Sequence, residues 1–285
     1  MASLTPDIAS VEVEGVDEII VEPRIRRRRR FRVWRGVVLL FAGAYFLIPI
    51  YAGVQWSLQN DAGHFSFYAV RIIPSEVGFT DAFFLSLRLA LVTVVLTLAL
   101  MVPTAVYVHL KLPKMRRILE VVTILPIVIP PIVLIIPFTQ VAPPWLRATP
   151  YFLSLMYVIL AMPFVYRSLD AGLSAIDLKT LVEASRSLGA RWLSTLWRVV
   201  MPNLRQALLS ATVLTIALAL GEFTMASLDL WTTLPVWIAG FAQTDSHVAT
   251  AVSMLSLIGT WLLLTVLVSL DRSQTRRTRG RTDAT

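Results

Sequence analysis

The sequence has no cysteine, and only 15% of its 285 residues are charged. Without cysteine the chain forms no disulfide and offers neither a thiolate metal ligand nor a thiol nucleophile. Soluble domains usually carry about 25% charged residues, so the composition argues against an ordinary soluble domain.

Patterns typical of catalytic and metal sites are missing as well. The three histidines, His64, His109 and His247, lack the spacing of metal ligands. No glycine-rich lysine motif is present to hold phosphates, and neither a Gly-x-Ser-x-Gly elbow nor paired carboxylates indicate an active site. We therefore predict that the chain is not an enzyme and has no metal or cofactor of its own.

Long apolar stretches dominate what the sequence does contain. Apolar residues make up 56% of the chain, and they cluster into runs of about 20, the length that an α-helix needs to cross a bilayer. Backbone groups in lipid must be satisfied within their own segment, which requires helices. We predict an all-α, polytopic membrane protein with six spans, at about residues 33–56, 83–108, 119–138, 151–169, 207–228 and 248–270.

The third predicted span contains Pro126, Pro130, Pro131 and Pro137. Proline removes a helical hydrogen-bond donor and clashes with the preceding turn, so this span is expected to be kinked or broken. Irregular backbone at membrane depth is tolerated only beside protein or a water-filled cavity. We therefore expect the third span to face the interior of the bundle.

Basic residues lie on one side of the predicted spans. The net charge is +8, and an arginine run at 26–30 directly precedes the first span, which favours a juxtamembrane orientation signal over a nucleic-acid-binding arm. Placing both termini in the cytoplasm puts the basic loops after the second and fourth spans inside, while Arg71, Arg88 and Arg147 lie outside. The predicted domains are a disordered acidic and then arginine-rich tail (1–32), a six-helix domain (33–270) with a cytoplasmic loop (170–206), and a basic tail (271–285).

The cytoplasmic loop carries a motif of fixed spacing. It reads Glu183-Ala184-Ser185, three residues, Gly189, nine residues and then Val-Val-Met-Pro, which ends at Pro202. Ser174 or Asp177 is suited to cap a first helix, on which Leu181, Ala184 and Leu188 share one face. Gly189 permits a left-handed cap and a turn, and Pro202 stops or bends a second helix. These features predict a helical hairpin, although a generic amphipathic interfacial helix is the simpler alternative.

The motif resembles the signature of binding-protein-dependent ABC importer permeases, written E-A-A, three residues, G, nine residues, I-x-L-P. Ser185, Val199 and Met201 depart mildly from that pattern. The chain resembles a type I ABC importer permease over residues 33–270, most strongly over 177–238. The resemblance implies a cytoplasmic coupling hairpin, to which we assign Glu183, Ala184, Ser185, Arg186, Gly189, Arg191 and Pro202.

The same resemblance implies the partners and the location. The expected partners are two cytoplasmic ATPase subunits that bind the ATP, a second permease subunit that is identical or homologous, and an external solute-binding protein. ATP-driven closure of the ATPases is expected to move the hairpin and open the cavity outward. The implied location is the plasma (inner) membrane of a prokaryote. We expect no nucleic-acid partner.

The sequence from Leu220 to Ile238 bears on the solute. It resembles the permeases of polyamine, ferric-iron, phosphonate and sulfate/molybdate importers, with a leaning towards spermidine or putrescine and the iron, phosphonate and sulfate types as alternatives. Glu222, Gly221 and Gln140 are the candidate residues of the translocation path, since an intramembrane carboxylate faces the bundle interior or a polar cavity. Glu222 attracts a cationic solute, or it caps a helix broken at Gly221, or it pairs with the partner permease.

Two further classes stay open at the level of sequence. A secondary transporter shows internal inverted symmetry and coupling-ion groups at midplane, and neither is evident. An integral membrane enzyme places convergent His, Asp or Ser residues at one interface, and none converge.

Overall fold

A computed structural model describes the backbone of residues 25–59 and 63–282, and the side chains of residues 34–59 and 63–269. The regular elements in this part of the chain are helices, with one isolated β-bridge between Gln59 and Phe65. The first half of the chain forms α1 (Ile25–Ser57), α2 (Tyr68–Ile72), α3 (Phe79–Lys111), α4 (Arg116–Val128), α5 (Pro131–Val141), α6 (Pro144–Arg147) and α7 (Tyr151–Ser174).

The second half begins with short helices and ends with a long one. Its elements are α8 (Leu178–Ser187), α9 (Trp192–Thr195), a π-helical turn (Leu196–Val200), α10 (Met201–Asn203), α11 (Arg205–Gly221), α12 (Thr224–Leu228), α13 (Leu234–Phe241) and α14 (Ser246–Thr282).

The described helices give four to six candidate spans, which is consistent with the six predicted. The helices α1, α3, α7 and α14 are each long and apolar enough to cross a membrane. Two bent pairs pass the same criterion, α4 with α5 and the segment from α9 to α10 with α11, which gives six spans if each pair is one span. The all-α, polytopic fold is therefore confirmed. The predicted fifth span is too long, because α11 ends at Gly221 and α12 follows after a break.

The third span is broken, as its prolines predict. The helices α4 and α5 meet at an angle of 99°, and Ile129 and Pro130 separate them. The expectation that this span faces the interior of the bundle is met only in part. Leu134 and Ile135 of α5 are buried, whereas Thr123 is the one buried side chain that the structure describes in α4.

The core forms where α3, α7 and α11 pack together. One apolar cluster joins these three helices to the buried residues of α8 and of the π-helical turn. Lipid provides no hydrophobic driving force between helices, so close approach through small residues matters. Gly172 of α7 is such a site: a Cβ added there would lie 2.6 Å from the Cβ of Ala207 in α11.

The chain divides into two compact units, residues 1–51 and 52–285. In the first unit, the described side chains of α1 are mostly exposed. The predicted disorder of the acidic N-terminal residues lies outside the described part of the chain. The arginine run at 26–30 is helical, because α1 begins at Ile25.

Candidate functional site

The first arm of the hairpin, α8, begins at a side-chain cap. The Asp177 carboxylate accepts a bond from the Thr180 backbone N–H at 3.2 Å and one from the Thr180 hydroxyl at 2.8 Å. The bond from the Thr180 hydroxyl, and to a smaller extent the bond from its backbone N–H, hold the pKa of Asp177 below its usual range. Asp177 is therefore the cap, whereas Ser174 stays in α7 and donates to the carbonyl of Asp170.

The helix α8 has one buried face and one open face. Val182 and Ser185 are buried against the bundle. Leu181, Ala184 and Leu188 share the other face, where Leu181 is half-buried, Ala184 is exposed and the Leu188 side chain is 89% exposed. Helical spacing predicted that these three residues lie together. The structure adds that theirs is the uncovered face, so an apolar tip projects from the hairpin.

The turn of the hairpin is a left-handed cap at Gly189, as predicted. Gly189 has φ +81°, its N–H donates to the carbonyl of Arg186 at 2.9 Å, and the N–H of Ala190 donates to the carbonyl of Ser185 at 3.1 Å. This pair of bonds is the Schellman motif, which satisfies the last carbonyls of a helix. The turn between the two arms is thereby fixed.

A buried hydrogen bond joins the two arms. The Ser185 hydroxyl lies 3.0 Å from the Thr195 hydroxyl, and both side chains are buried. Leu196 and Val200 in the following π-helical turn are also buried. The serine that departs from the second alanine of the signature therefore makes a specific contact. Its partner was not predictable from the sequence, because Thr195 lies outside the signature positions.

The second arm meets α11 at a sharp bend, as the position of Pro202 in the sequence predicted. The segment Trp192–Asn203 and α11 form an angle of 83°. The N–H of Leu204 donates to the carbonyl of Val200 at 3.1 Å, and the Asn203 amide donates to the carbonyl of Val199 at 2.7 Å. The backbone at the bend is therefore hydrogen-bonded and ordered.

The hairpin is basic around its turn. A cleft of about 530 Å³ lies between the end of α3 and the hairpin. Lys179 contacts Glu183 at 3.9 Å, but both side chains are exposed, so this pair only steadies the helix. The charged residues lining the cleft are Lys111, Lys179, Glu183, Arg186 and Arg191.

Glu222 caps a broken helix. It lies in the break after α11 and is 9% exposed. Its carboxylate accepts bonds from the N–H of Met225, at 2.9 Å and 3.1 Å from the two oxygens, and from the N–H of Ala226 at 3.3 Å. These donors open α12, whose positive end favours a carboxylate. Of the three predicted roles, capping is the one that the described contacts support.

The other two candidate path residues do not join Glu222 in one site. Gly221 is the exposed last residue of α11, and Gln140 is exposed near the end of α5. Within the described residues, no hydrogen bond connects Gln140 to Glu222. The translocation path therefore stays a prediction for these residues.

The other end of the bundle presents two shallow cavities on either side of Leu230. Arg88 and Asp81 line one, of about 400 Å³, and Arg147 and Asp229 line the other, of about 500 Å³. Burial raises the pKa of Asp229, and the nearby Arg147 guanidinium acts in the opposite direction. Leu230 itself is 89% exposed and has φ +61°.

Comparison with known proteins identifies the architecture. Residues 101–280 match the family described as the binding-protein-dependent transport system inner membrane component. The chain belongs to this family. The match contains the whole hairpin, and the protein is an ABC transporter permease subunit.

Two relatives are named for molybdenum and sulfate transport. The chain is 30% identical over 206 residues, 67% of its length and 72% of the relative's, to the probable molybdenum ABC transporter permease protein of Haloferax volcanii. It is 31% identical over 131 residues, 44% of its length and 46% of the relative's, to the sulfate transport system permease protein CysW of Synechococcus elongatus. These names correspond to the sulfate-type alternative and do not support the leaning towards spermidine or putrescine.

Proposed function

We propose that this permease carries a tetrahedral oxyanion of the sulfate and molybdate class into the cell, driven by ATPase subunits that bind its hairpin. The solute-binding protein delivers the oxyanion at the opposite end of the bundle, and a second permease subunit completes the path. ATP is bound and hydrolysed by the partner subunits.

The observation that carries this proposal is the uncovered apolar tip of the hairpin. Leu188 is 89% exposed beside the fixed turn at Gly189, on the face that it shares with Leu181 and Ala184. A short helix presenting one apolar face suits a groove on a partner. Arg186 and Arg191, which line the adjacent cleft, add charges that set the register of docking.

The packing of the hairpin gives it a way to transmit force. The buried residues of α8 and of the π-helical turn belong to the same apolar cluster as α3, α7 and α11. Close-packed interiors deform little and transmit displacement to their neighbours. A push on the tip therefore moves the ends of the core helices instead of bending a loose loop.

The orientation follows from the same surface and the charge distribution. The hairpin end carries the basic residues that the positive-inside rule assigns to the cytoplasm. ATPase subunits are cytoplasmic, so the docking tip belongs on that side. Both termini are then cytoplasmic as well.

An oxyanion suits this chain better than a cation. Capping of α12 engages the Glu222 carboxylate, which is only 9% exposed, so little of its surface is open to a polyamine. Arg88 and Arg147 line the cavities at the outer end, each beside one aspartate. Guanidinium groups recognise oxyanions by charge-assisted hydrogen bonds. The two relatives are named for molybdenum and sulfate transport.

The docking role is tested by one substitution at each end of the bundle. Leu188→Asp places a charge on the apolar tip and is expected to abolish copurification of the ATPase subunits and ATP-driven uptake. Leu230→Asp is the matched control for ATPase copurification, because Leu230 has the same 89% exposure at the outer end. Normal ATPase binding by the Leu188 variant would contradict the proposal.

The solute is tested by uptake into proteoliposomes that hold the assembled transporter, with ATP on the ATPase side. Molybdate and sulfate are expected to be transported, and spermidine is expected to remain outside. Glu222→Gln keeps a capping oxygen and removes the charge, so oxyanion uptake should persist within about 2-fold, as for a substitution that spares the fold. Uptake of spermidine alone would overturn the oxyanion assignment while leaving the docking role standing.

A further inference from the structure

A polar cluster ties the start of α4 to the last turns of α7. The Arg116 guanidinium donates to both oxygens of Asp170, with the Nη2 bond at 2.7 Å, and also to the Ser174 hydroxyl. A forked guanidinium–carboxylate contact is among the strongest polar contacts, and it fixes the relative orientation of the two groups. The Arg116 side chain is 40% exposed and that of Asp170 is 28% exposed, so the cluster lies at the rim of the bundle.

The same cluster also includes a hydrogen bond to the backbone of α4 and a residue of a third helix, α3. The Tyr166 hydroxyl, also on α7, donates to the carbonyl of Arg116 at 3.0 Å. On α3, His109 Nε2 lies 3.3 Å from Asp170 Oδ1. The first residue of α4 is therefore held against α7 by its side chain and by its backbone, and Asp170 in turn lies beside α3.

Outside this cluster, α4 packs along α7 with only partly buried apolar residues, of which Leu119 contacts the core cluster. Thr123 is its one buried side chain among those described. Its far end is the proline break, where Pro130 has no N–H to continue the helix and α5 turns away by 99°. At its start α4 is thus tied to α7 by specific polar bonds, and at its far end it meets α5 at the bend.

The cluster adjoins the hairpin in sequence. Only Ala175 and Ile176 separate Ser174, the last residue of α7, from Asp177, the cap of α8. Displacement of the first arm therefore acts directly on the turn that carries Asp170 and Ser174.

We infer that Arg116 and Asp170 form the link through which motion of the hairpin moves α4. This rests on the proposed function, and it makes the two residues positioning residues for coupled transport. When ATPase closure shifts the turn between α7 and α8, the forked Arg116–Asp170 contact (the fork) moves the start of α4 with it. The bend at Pro130 absorbs the resulting rotation of α4. Breaking the fork leaves the ATPases docked and active, but it disconnects α4 from them.

The test measures uptake and ATP hydrolysis together in the reconstituted transporter, with molybdate and sulfate as the solutes. Arg116→Gln and Asp170→Asn are each expected to lower the solute taken up per ATP hydrolysed by roughly 5-fold or more, the usual scale of coupling between sites. ATP hydrolysis itself should stay within about 2-fold of the unmodified transporter, because the docking tip is intact. The double variant should be no worse than either single variant, since both remove the same contact.

The matched control is Arg117→Gln, which removes the same charge one residue along from an exposed position. Its uptake per ATP should equal that of the unmodified transporter. If the neutral variants fail to assemble, Arg116→Lys keeps the charge without the fork and should give a reduced ratio.

Three results would overturn the inference. They are an unchanged ratio in the variants, a parallel fall of uptake and hydrolysis, and a double variant whose defect is the product of the single defects. An unmodified transporter that neither hydrolyses ATP nor takes up either oxyanion would instead defeat the proposed function on which the inference rests.

Discussion

Gly189 determines the shape of the hairpin more directly than any other single residue of the motif. Its φ of +81° lies in the left-handed region, and the Schellman bonds of the turn depend on that conformation. A Cβ added at Gly189 would meet nothing within 4 Å. Glycine is therefore favoured at position 189 because of the positive φ, and not because a larger side chain would clash.

Replacement of Gly189 by alanine is expected to destabilise the hairpin. An L-residue in the left-handed region costs about 1–2 kcal/mol, so the free energy of unfolding should fall by that amount and uptake should fall with it. Gly240→Ala is the control, because Gly240 lies in α13 with no positive φ and open space around its Cα. Thermal unfolding of the purified permease measures both, and equal stability of the two variants would contradict this account.

For single residues, the sequence predicted the backbone conformation better than the burial and contacts of the side chain. Gly189, Pro202 and the cap at Asp177 were predictable, because each acts on its own backbone through local chemistry. The exposure of Leu188 was not predictable, since helical spacing reveals which residues share a face but not which face is covered. The role of Glu222 was left open for the same reason: its partners are donors of a helix that begins only after the break.

The helices α7 and α11 approach each other closely at Gly172. Gly172 lets them approach until an added Cβ would lie 2.6 Å from the Ala207 Cβ and 3.2 Å from Leu204. Leu204 sits at the bend between the hairpin and α11. The crossing therefore fixes where the second arm of the hairpin joins the core.

Gly172→Ala is expected to separate these two helices. Overpacking of a well-packed contact typically costs about 1–3 kcal/mol, so the free energy of unfolding should fall within that range. In Gly259→Ala the new methyl group meets no atom within 4 Å, and this control should unfold like the unmodified protein. A Gly172 variant as stable as the control would show that the helices relax apart without cost.

The number of spans was predictable from apolar run length, whereas their ends were not. The third span broke where its prolines indicated. The fifth span was predicted too long, because residues 222–228 are apolar enough to continue a helix, yet Glu222 turns away to cap α12. The exposure of α4 was also missed, since a broken helix needs protein or water beside it, but the sequence does not reveal whether that protein is its own chain or a partner.

At the scale of the whole molecule, successive contacts connect the hairpin, the core and α4. The hairpin lies within the residues that match the permease family, and its role as the coupling element is our proposal. The fixed turn, the shared apolar cluster and the Arg116–Asp170 fork connect that loop to the helices in successive steps. The sequence predicted the loop and the spans, but the fork joins residues 54 positions apart, and no local pattern pairs them.

The central claim is that the hairpin tip receives the ATPase, and the absence of cysteine allows a direct measurement. A single Leu188→Cys substitution, carrying a thiol-reactive photo-crosslinker, has no competing thiol in this chain. In membranes that contain the assembled transporter, it should crosslink to an ATPase subunit, whereas Leu230→Cys should not. Crosslinking of the ATPase from position 230, or from neither position, would contradict the account.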